Sequence, residues 1–392
     1  MGWSVHHPVG LIHCSPSRCY RGYTLICTGG GQQAFLLDMQ GRVCHQWRSA
    51  AGIEYCRLLP NGNLLLRTNP PRDVEVGTIG GASASLQELD WHSTLVWELR
   101  NPMVHHDFQR LPNGNTLAVL FEPMPAELTR QVRGGFISAN DPEQMIGDLV
   151  QEVTPDGRVV YEWHSWQYLS VEEDMICPLE GRREWTHQNT LSLMPNGDFL
   201  VSFRQTSVIG IVDKASGRFK WKWGPGQISH QHHPTYLPES GRILLFDNGA
   251  HRRGVNYSRI LEVDPETNAI AWEYRGAPPI SFYSYNISSA ERLPNGNTLI
   301  CEGAPGRLFE VTPEGHIVWE YINPYAVLRP SRLAQQTEAG VMQGAATRTG
   351  ATEWANAVFR AHRYGPDHPA LQGRDLNPEQ YANINRLYAA SR

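Results

Sequence analysis

The sequence predicts an all-β fold, a six-bladed β-propeller with a partly helical C-terminal extension. Three observations carry that reading. One hairpin recurs five times, four copies turning on Pro-Asn-Gly and one on Pro-Glu-Ser-Gly, a second hairpin closing on tryptophan recurs six times, and the two alternate along the chain. The closing tryptophans repeat at intervals of 47 to 66 residues, the range of propeller blades and longer than solenoid repeats.

The first hairpin reads IEYCRLLPNGNLLL from Ile53, HHDFQRLPNGNTLAVL from His105 and HQNTLSLMPNGDFLVSF from His187. It continues as HQHHPTYLPESGRILLF from His230 and NISSAERLPNGNTLICEG from Asn286. Asn-Gly between two apolar runs accepts the positive φ angles of a tight turn, so each copy is a pair of antiparallel strands. The second hairpin carries an apolar pair, a turn, then aromatics two apart. Its copies reach Trp47, Trp97, Trp163, Trp223, Trp272 and Trp319. Strand alternation puts those aromatics on one face, as packing between blades requires. Before Trp47 there is no Pro-Asn-Gly hairpin. GYTLICTG (22–29) nevertheless nearly duplicates GNTLICEG (296–303), so this segment is the second strand of a blade whose first strand is not identified.

The pattern changes near Ala326. We divide the chain into a propeller, 1–325, and an extension, 326–392, that packs on it and ends in a short helix beginning near Asn377-Pro378. His362, Arg363, Asp367 and His368 of the extension have no assigned role. Two insertions, about 123–147 and 165–184, are expected as rim loops or lids.

The chain has 392 residues and a net charge of -5, which gives no reason to expect a nucleic-acid or membrane-surface partner. No stretch has the length and apolarity of a membrane-spanning helix. The N-terminus lacks the pattern of a signal peptide. Seven cysteines are scattered, several in apolar strands, as expected of reduced thiols; only Cys14 and Cys19 are close enough to suggest a pair. The expectation is a cytoplasmic protein acting on a small molecule, with oligomeric state open.

The chemistry lies at the start of the first hairpin. Six residues before each hairpin proline stand Glu54, His106, Asn189, His232 and Ser288; eight before stand Gly52, Val104, His187, His230 and Asn286. Residues two apart share a strand face. In a propeller the innermost strands line the channel, so His106, His187, Asn189, His230 and His232 converge at one mouth. The second strands return to the same level with Glu122, Arg204, Asp247-Asn248 and Glu302, and Arg252 and Arg253 follow. His105 and His233 fall on the opposite register and read as packing residues. One buried imidazole is commonly structural, but four in register from three repeats are not what a packed wall would select. Two chemistries fit. An imidazole can attack an electrophile while neighbouring His, Asn and Arg hold the developing anion. Alternatively His106, His187, His230 and His232 bind one transition metal in a lyase, hydrolase or oxidoreductase. Arg204 and Asn189 favour an anionic substrate.

HHDFQRLPNGNTL, EWTHQNTL, HQHHPTYL with LLFDNG, and RLPNGNTLICEG together resemble the bacterial arylsulfate sulfotransferase family in its shorter form, over about residues 20–325. The resemblance implies a six-bladed propeller that moves a sulfuryl group from an aryl sulfate to a phenol through a sulfohistidine, without a nucleotide donor or other cofactor. It implies His232 as nucleophile, with His106, His187, Asn189 and Arg204 around the sulfuryl oxygens. His105 is the second choice at the HHD motif. His105, His230, His233, Arg252 and Glu302 are expected to contact substrate. Members of that family are typically exported, which this N-terminus does not suggest.

Overall fold

The computed structural model describes residues 8–71, 73–139, 141–330 and 352–389. It is a six-bladed β-propeller, and six sheets of four or five antiparallel strands form the ring. Blades two to five are continuous in sequence, spanning 55–100, 104–164, 188–223 and 232–275. Their innermost strands are Tyr55–Leu58, Val104–Arg110, Gln188–Leu193 and His232–Leu237.

Both ends of the chain close the ring. Gly10–Cys14 adds a fifth, outermost strand to blade six, which otherwise spans 289–322. Blade one takes its second to fourth strands from Tyr23–Cys27, Gln33–Leu37 and Val43–Arg48, and its innermost strand from His362–Tyr364. The chain beyond 325 is therefore more than an extension lying on the propeller, because it completes a blade. Tyr23–Cys27 would otherwise leave a row of unpaired backbone groups facing the channel. The structure supplies the first strand that the sequence left unidentified. The C-terminal helix begins where Asn377-Pro378 predicts: the Asn377 carboxamide accepts the Glu379 N–H at 3.0 Å, and a 3-10 turn leads into helix Ala382–Ala389. Residues 331–351, inside the same extension, lie outside the described residues.

Each Pro-Asn-Gly turn is closed in one way. Gly62, Gly114, Gly197 and Gly296 have φ between 86° and 89°, a conformation only glycine adopts without strain. The next asparagine reaches across the blade, Asn63 to Glu88 at 2.7 Å, Asn115 to Glu152 at 2.6 Å and Asn297 to Glu310 at 2.6 Å. Each of those glutamates also holds a cation from the next blade: Arg110 on Glu88, Lys214 on Glu152 and Arg363 on Glu310. The tryptophans of the second hairpin do the corresponding work at the outside. Trp97, Trp163, Trp221, Trp272 and Trp319 donate to Pro155, Gly217, Asn268, Pro313 and Met39 of the following blade at 2.8–3.0 Å. Packing an indole while satisfying its N–H makes each of these five blades a template for its neighbour, whereas in blade one Trp47 is buried with its N–H unpartnered.

The two insertions fold together. Met124, Val132 and Met145 of the first pack with Ile176 of the second and with Trp185, which directly follows it, into a small apolar core of their own. All seven cysteines are free thiols, Cys14 and Cys19 included. No described helix is long and apolar enough to cross a membrane.

Candidate active site

The residues that begin the innermost strands do not alternate as a plain strand would. His106, His187, His230 and His233 have φ of 47°, 54°, 58° and 54°, and His251 has 61°. Half of the ten non-glycine residues with positive φ among those described are histidines. Left-handed backbone costs a residue with a Cβ about 1–2 kcal/mol and persists where surrounding structure fixes it, most often at functional sites. Here it re-aims the imidazoles, and the strand register slips at the same places, between Ala118 and Val119, Gln188 and Thr190, and His232 and Thr235. The bulge is what brings rings from different blades to one level.

His232 is the best-defined of them. It is 2% exposed, and its Nδ1 lies 2.8 Å from Asn248 Oδ1 and 3.1 Å from the His230 carbonyl oxygen. The orientation of Asn248 is not ambiguous, because its amide nitrogen donates to the carbonyls of Ser284 and Ile287 at 2.8 and 3.0 Å. Nδ1 of His232 therefore faces two acceptors and carries the proton, leaving Nε2 with its lone pair. Burial holds the ring well below the usual imidazole range, against the opposing pull of Asn248, so it is neutral at physiological pH.

His187 and His106 meet edge to face, centroids 4.5 Å apart. His187 Nδ1 is 2.8 Å from Glu184 Oε2. Behind His106, its Nδ1 is 2.8 Å from Nδ1 of His105, whose Nε2 is 3.2 Å from Asp148 Oδ1. Asp148 is fixed on its other oxygen by the Thr186 hydroxyl and the Gln188 N–H. His106 is pushed well below the usual range by burial and then by the neighbouring His187. Gly81 is laid against its ring; a Cβ there would stand 2.1 Å from His106 Cε1, so only glycine fits. His230 is fully buried, and burial followed by the Arg204 charge holds it neutral as well.

The structure thus gathers His106, His187, His230, His232 and Arg204. Arg204 is held by Glu180 at 2.8 Å. The other candidates are turned elsewhere. Asn189 is fully buried; its amide donates to the Gln231 carbonyl at 2.7 Å, so it pins the segment between His230 and His232 and does not face the mouth. His105 is fully buried, stacked on Phe121 at 3.9 Å, and reaches the site only through His106. His233 Nδ1 bonds the Ala290 carbonyl of the next blade at 3.1 Å. Arg252 is paired to Asp247 at 2.7 Å and lies over Tyr257. Glu302 is paired to Arg307 at 3.1 Å and accepts the Tyr283 N–H. In the structure His105, His233, Arg252 and Glu302 make these contacts within the fold, while His105 Nε2 and Arg252 Nε have no hydrogen-bond partner.

Four residues escape the sequence reading. Glu184 lies three residues before His187, and E-x-x-H is its signal. Asn248 stands at the predicted strand end, without a hint that it would orient an imidazole. Glu180 comes from the second insertion, where no repeat gives it a register. Arg360 is the least expected. Its guanidinium is fully buried in the channel, 2.8 Å from Asp107 Oδ2 and 2.7 Å from the Asn189 carbonyl, and it lies over Tyr55. Arg363 pairs with Thr24 as Arg292 pairs with Thr298, so Arg360 takes in blade one the level that Ser289 takes in blade six. No Pro-Asn-Gly turn follows it to reveal that register.

Fold and site define a propeller with a buried, multi-histidine mouth. The family model for arylsulfotransferase (ASST) matches residues 83–324, which includes every histidine of that mouth. The chain belongs to the arylsulfotransferase family, and the family gives it a sulfotransferase-type, group-transferring function. No curated protein matches the chain. Among solved structures it is similar to a protein of unknown function from Bacteroides caccae, at 15% identity and a TM-score of 0.51 over 77% of this chain and 93% of that one. A streptogramin B lyase aligns at 13% identity and a TM-score of 0.46, over 80% and 82% of the two chains. The likeness to the Bacteroides caccae protein concerns the fold alone.

Proposed function

We propose that the protein transfers a sulfuryl group from an aryl sulfate ester to a phenolic acceptor through a sulfohistidine at His232. The observation that carries this is the pair of acceptors on His232 Nδ1, Asn248 Oδ1 and the His230 carbonyl, which leaves Nε2 as a neutral nucleophile. Nε2 attacks sulfur in line, the S–N bond forms, and the bond from sulfur to the aryl oxygen breaks with its electron pair on oxygen. His187, paired to Glu184, gives the departing phenolate a proton. It then takes one from the incoming phenol, whose oxygen attacks sulfur and returns the electron pair to Nε2. Proton and charge balance over the cycle without a cofactor. Arg204 supplies positive charge to the sulfuryl oxygens, where the charge of the transition state resides. Asn189 enters as a positioning residue for the His230–His232 segment.

The test is nitrophenol release from 4-nitrophenyl sulfate with phenol as acceptor. A sulfuryl mass increase on the peptide holding His232 is expected, with loss of at least about 10³ in kcat for His232→Ala. Release unaltered in that variant, or none with any of several donors, overturns the proposal.

A second reading has one observation behind it. Nδ1 of His187 is held by a carboxylate and that of His232 by carbonyl oxygens, as the outer nitrogens of metal-ligating histidines are. His106, His187, His230 and His232 nevertheless do not form, among the described residues, a set whose ligand atoms all lie within 4.8 Å. Retained turnover after exhaustive chelation separates the two readings.

A further inference from the structure

Beside the mouth, three other donors come together from three separate segments. Cys177 opens a turn of the second insertion, fixed by its N–H on the Gln205 carbonyl at 2.8 Å and by the Glu180 N–H on its own carbonyl at 2.9 Å. His230 leads into blade five, and His251 follows that blade's second strand. The ligand atoms of Cys177, His230 and His251 all lie within 4.8 Å of one another. Cys177 Sγ is 3.5 Å from His251 Nδ1, and the two imidazoles meet edge to face at 4.5 Å. Glu180 Oε1 is 3.3 Å from His230 Nδ1 and 3.8 Å from His251 Nδ1.

Two independent features point to a ligand. His230 is fully buried, yet neither of its ring nitrogens makes a hydrogen bond; its approach to Glu180 lacks the geometry of one. A buried polar group without a partner costs about 1–3 kcal/mol, so native structures rarely keep one for nothing. His230 and His251 also both occupy left-handed backbone, which aims the two rings at the thiol. Sequence alone offers no trace of this, since the three residues lie in unrelated segments.

We propose that Cys177, His230 and His251 bind a divalent transition-metal ion of borderline softness, zinc being the type. One thiolate with two imidazoles suits such an ion and is a poor set for magnesium or calcium, which take oxygen ligands. The fourth position falls to water or to Glu180, whose Oε1 is shared with Arg204. The ion enters from the rim, where Cys177 is half-buried and the His251 side chain is 30% exposed. Bound there, it clips the 165–184 insertion to blade five alongside His232. The site adjoins the mouth through His230 and Glu180, but the proposal rests on its own geometry and not on the sulfuryl transfer proposed above.

The experiment uses the whole chain, freed of metal by chelator, re-equilibrated with zinc sulfate and desalted before elemental analysis. Wild-type protein is expected to retain about one zinc per chain. Cys177→Ser and His251→Ala should each weaken zinc binding by at least about 100-fold, more than loss of a residue that merely supports a ligand. Circular dichroism verifies that both variants fold. His106→Ala should keep its zinc. Cobalt gives a second readout, a thiolate-to-cobalt absorption band present in wild type and absent in Cys177→Ser. No stoichiometric zinc in the wild type overturns the proposal. So does zinc that survives both substitutions, or zinc lost in His106→Ala but kept in Cys177→Ser, which would place the ion among the central histidines.

Discussion

The two ends of the inner hairpins solve one backbone problem in opposite ways. At the turn end, Gly62, Gly114, Gly197 and Gly296 adopt positive φ without strain, and the asparagines and glutamates nearby pair in a repeated pattern. At the mouth end, His106, His187, His230 and His233 take positive φ despite a Cβ, and their partners differ from blade to blade. The turn end repeats because it only has to fold. The mouth end carries strain and a cluster of imidazoles, held in place by Asn248, Glu184 and Asp148, and this irregularity is where the chemistry sits.

The contrast breaks most clearly at Arg360. Arg360→Leu leaves Arg57, 3.5 Å away, as the remaining cation on buried Asp107, beside the Phe108 and Leu191 N–H groups whose hydrogen bonds it accepts. Loss of about 3–5 kcal/mol is expected, against about 1 kcal/mol for Arg110→Leu in the more exposed pair with Glu88 at the turn end. Urea unfolding of both variants checks the pair, and equal losses would erase the distinction between the ends.

Asn248→Ala comes next. Without its acceptor the His232 ring is free to change tautomer, so kcat for nitrophenyl sulfate should fall about 100-fold with KM little altered. Asn248→Asp keeps an acceptor for Nδ1–H and should recover part of that loss. A merely structural asparagine would show a lower Tm in both variants and no such recovery.

Acid should act on the mouth before the turns. The fold holds His106, His232 and His233 well below their usual value of 6.5, chiefly by burial. Below pH 6.5 the unfolded chain takes up protons that the folded chain refuses, so stability is full above that pH and falls as pH drops beneath it. Each such histidine contributes a slope of about 1.4 kcal/mol per pH unit until its folded pKa is reached. Urea midpoints between pH 7.5 and 5 measure this; a flat profile would mean the rings are protonated in the fold.

The smallest effects concern backbone strain itself. In zinc-free protein, His251→Gly should raise stability by up to about 1 kcal/mol, because glycine accepts the φ of 61° that histidine strains to adopt. Gly114→Ala should lower it by about 1–2 kcal/mol for the converse reason. Thermal unfolding of the two variants shows whether the signs differ.

Much of the scaffold is legible in the amino-acid sequence. Asn-Gly turns and paired aromatics are local signals, and both become hairpins and inter-blade latches in the fold. Blade one is half-legible: GYTLICTG marks its second strand, but the three-residue strand His362–Tyr364 is too short to carry a pattern and joins from the far end of the chain. The site divides along the same line. His106, His187, His230 and His232 are visible through their distance to a turn. Strict alternation puts Asn189 on the channel face, whereas its amide bonds the Gln231 carbonyl between blades, and it reads His105 as a packing residue, which in the fold also backs His106.

The ring of hairpins and the histidines that stand at its mouth follow from the order of residues, because periodicity and turn chemistry are local properties of the chain. Everything else had to await the packing of distant segments. Left-handed φ at the strand starts, the closure of blade one by a distant strand, the burial of Arg360 and the meeting of Cys177 with His230 and His251 all arise from contacts between residues far apart in sequence. Such contacts fix tautomer, charge and orientation, and those are what turn a row of imidazoles into a reactive site.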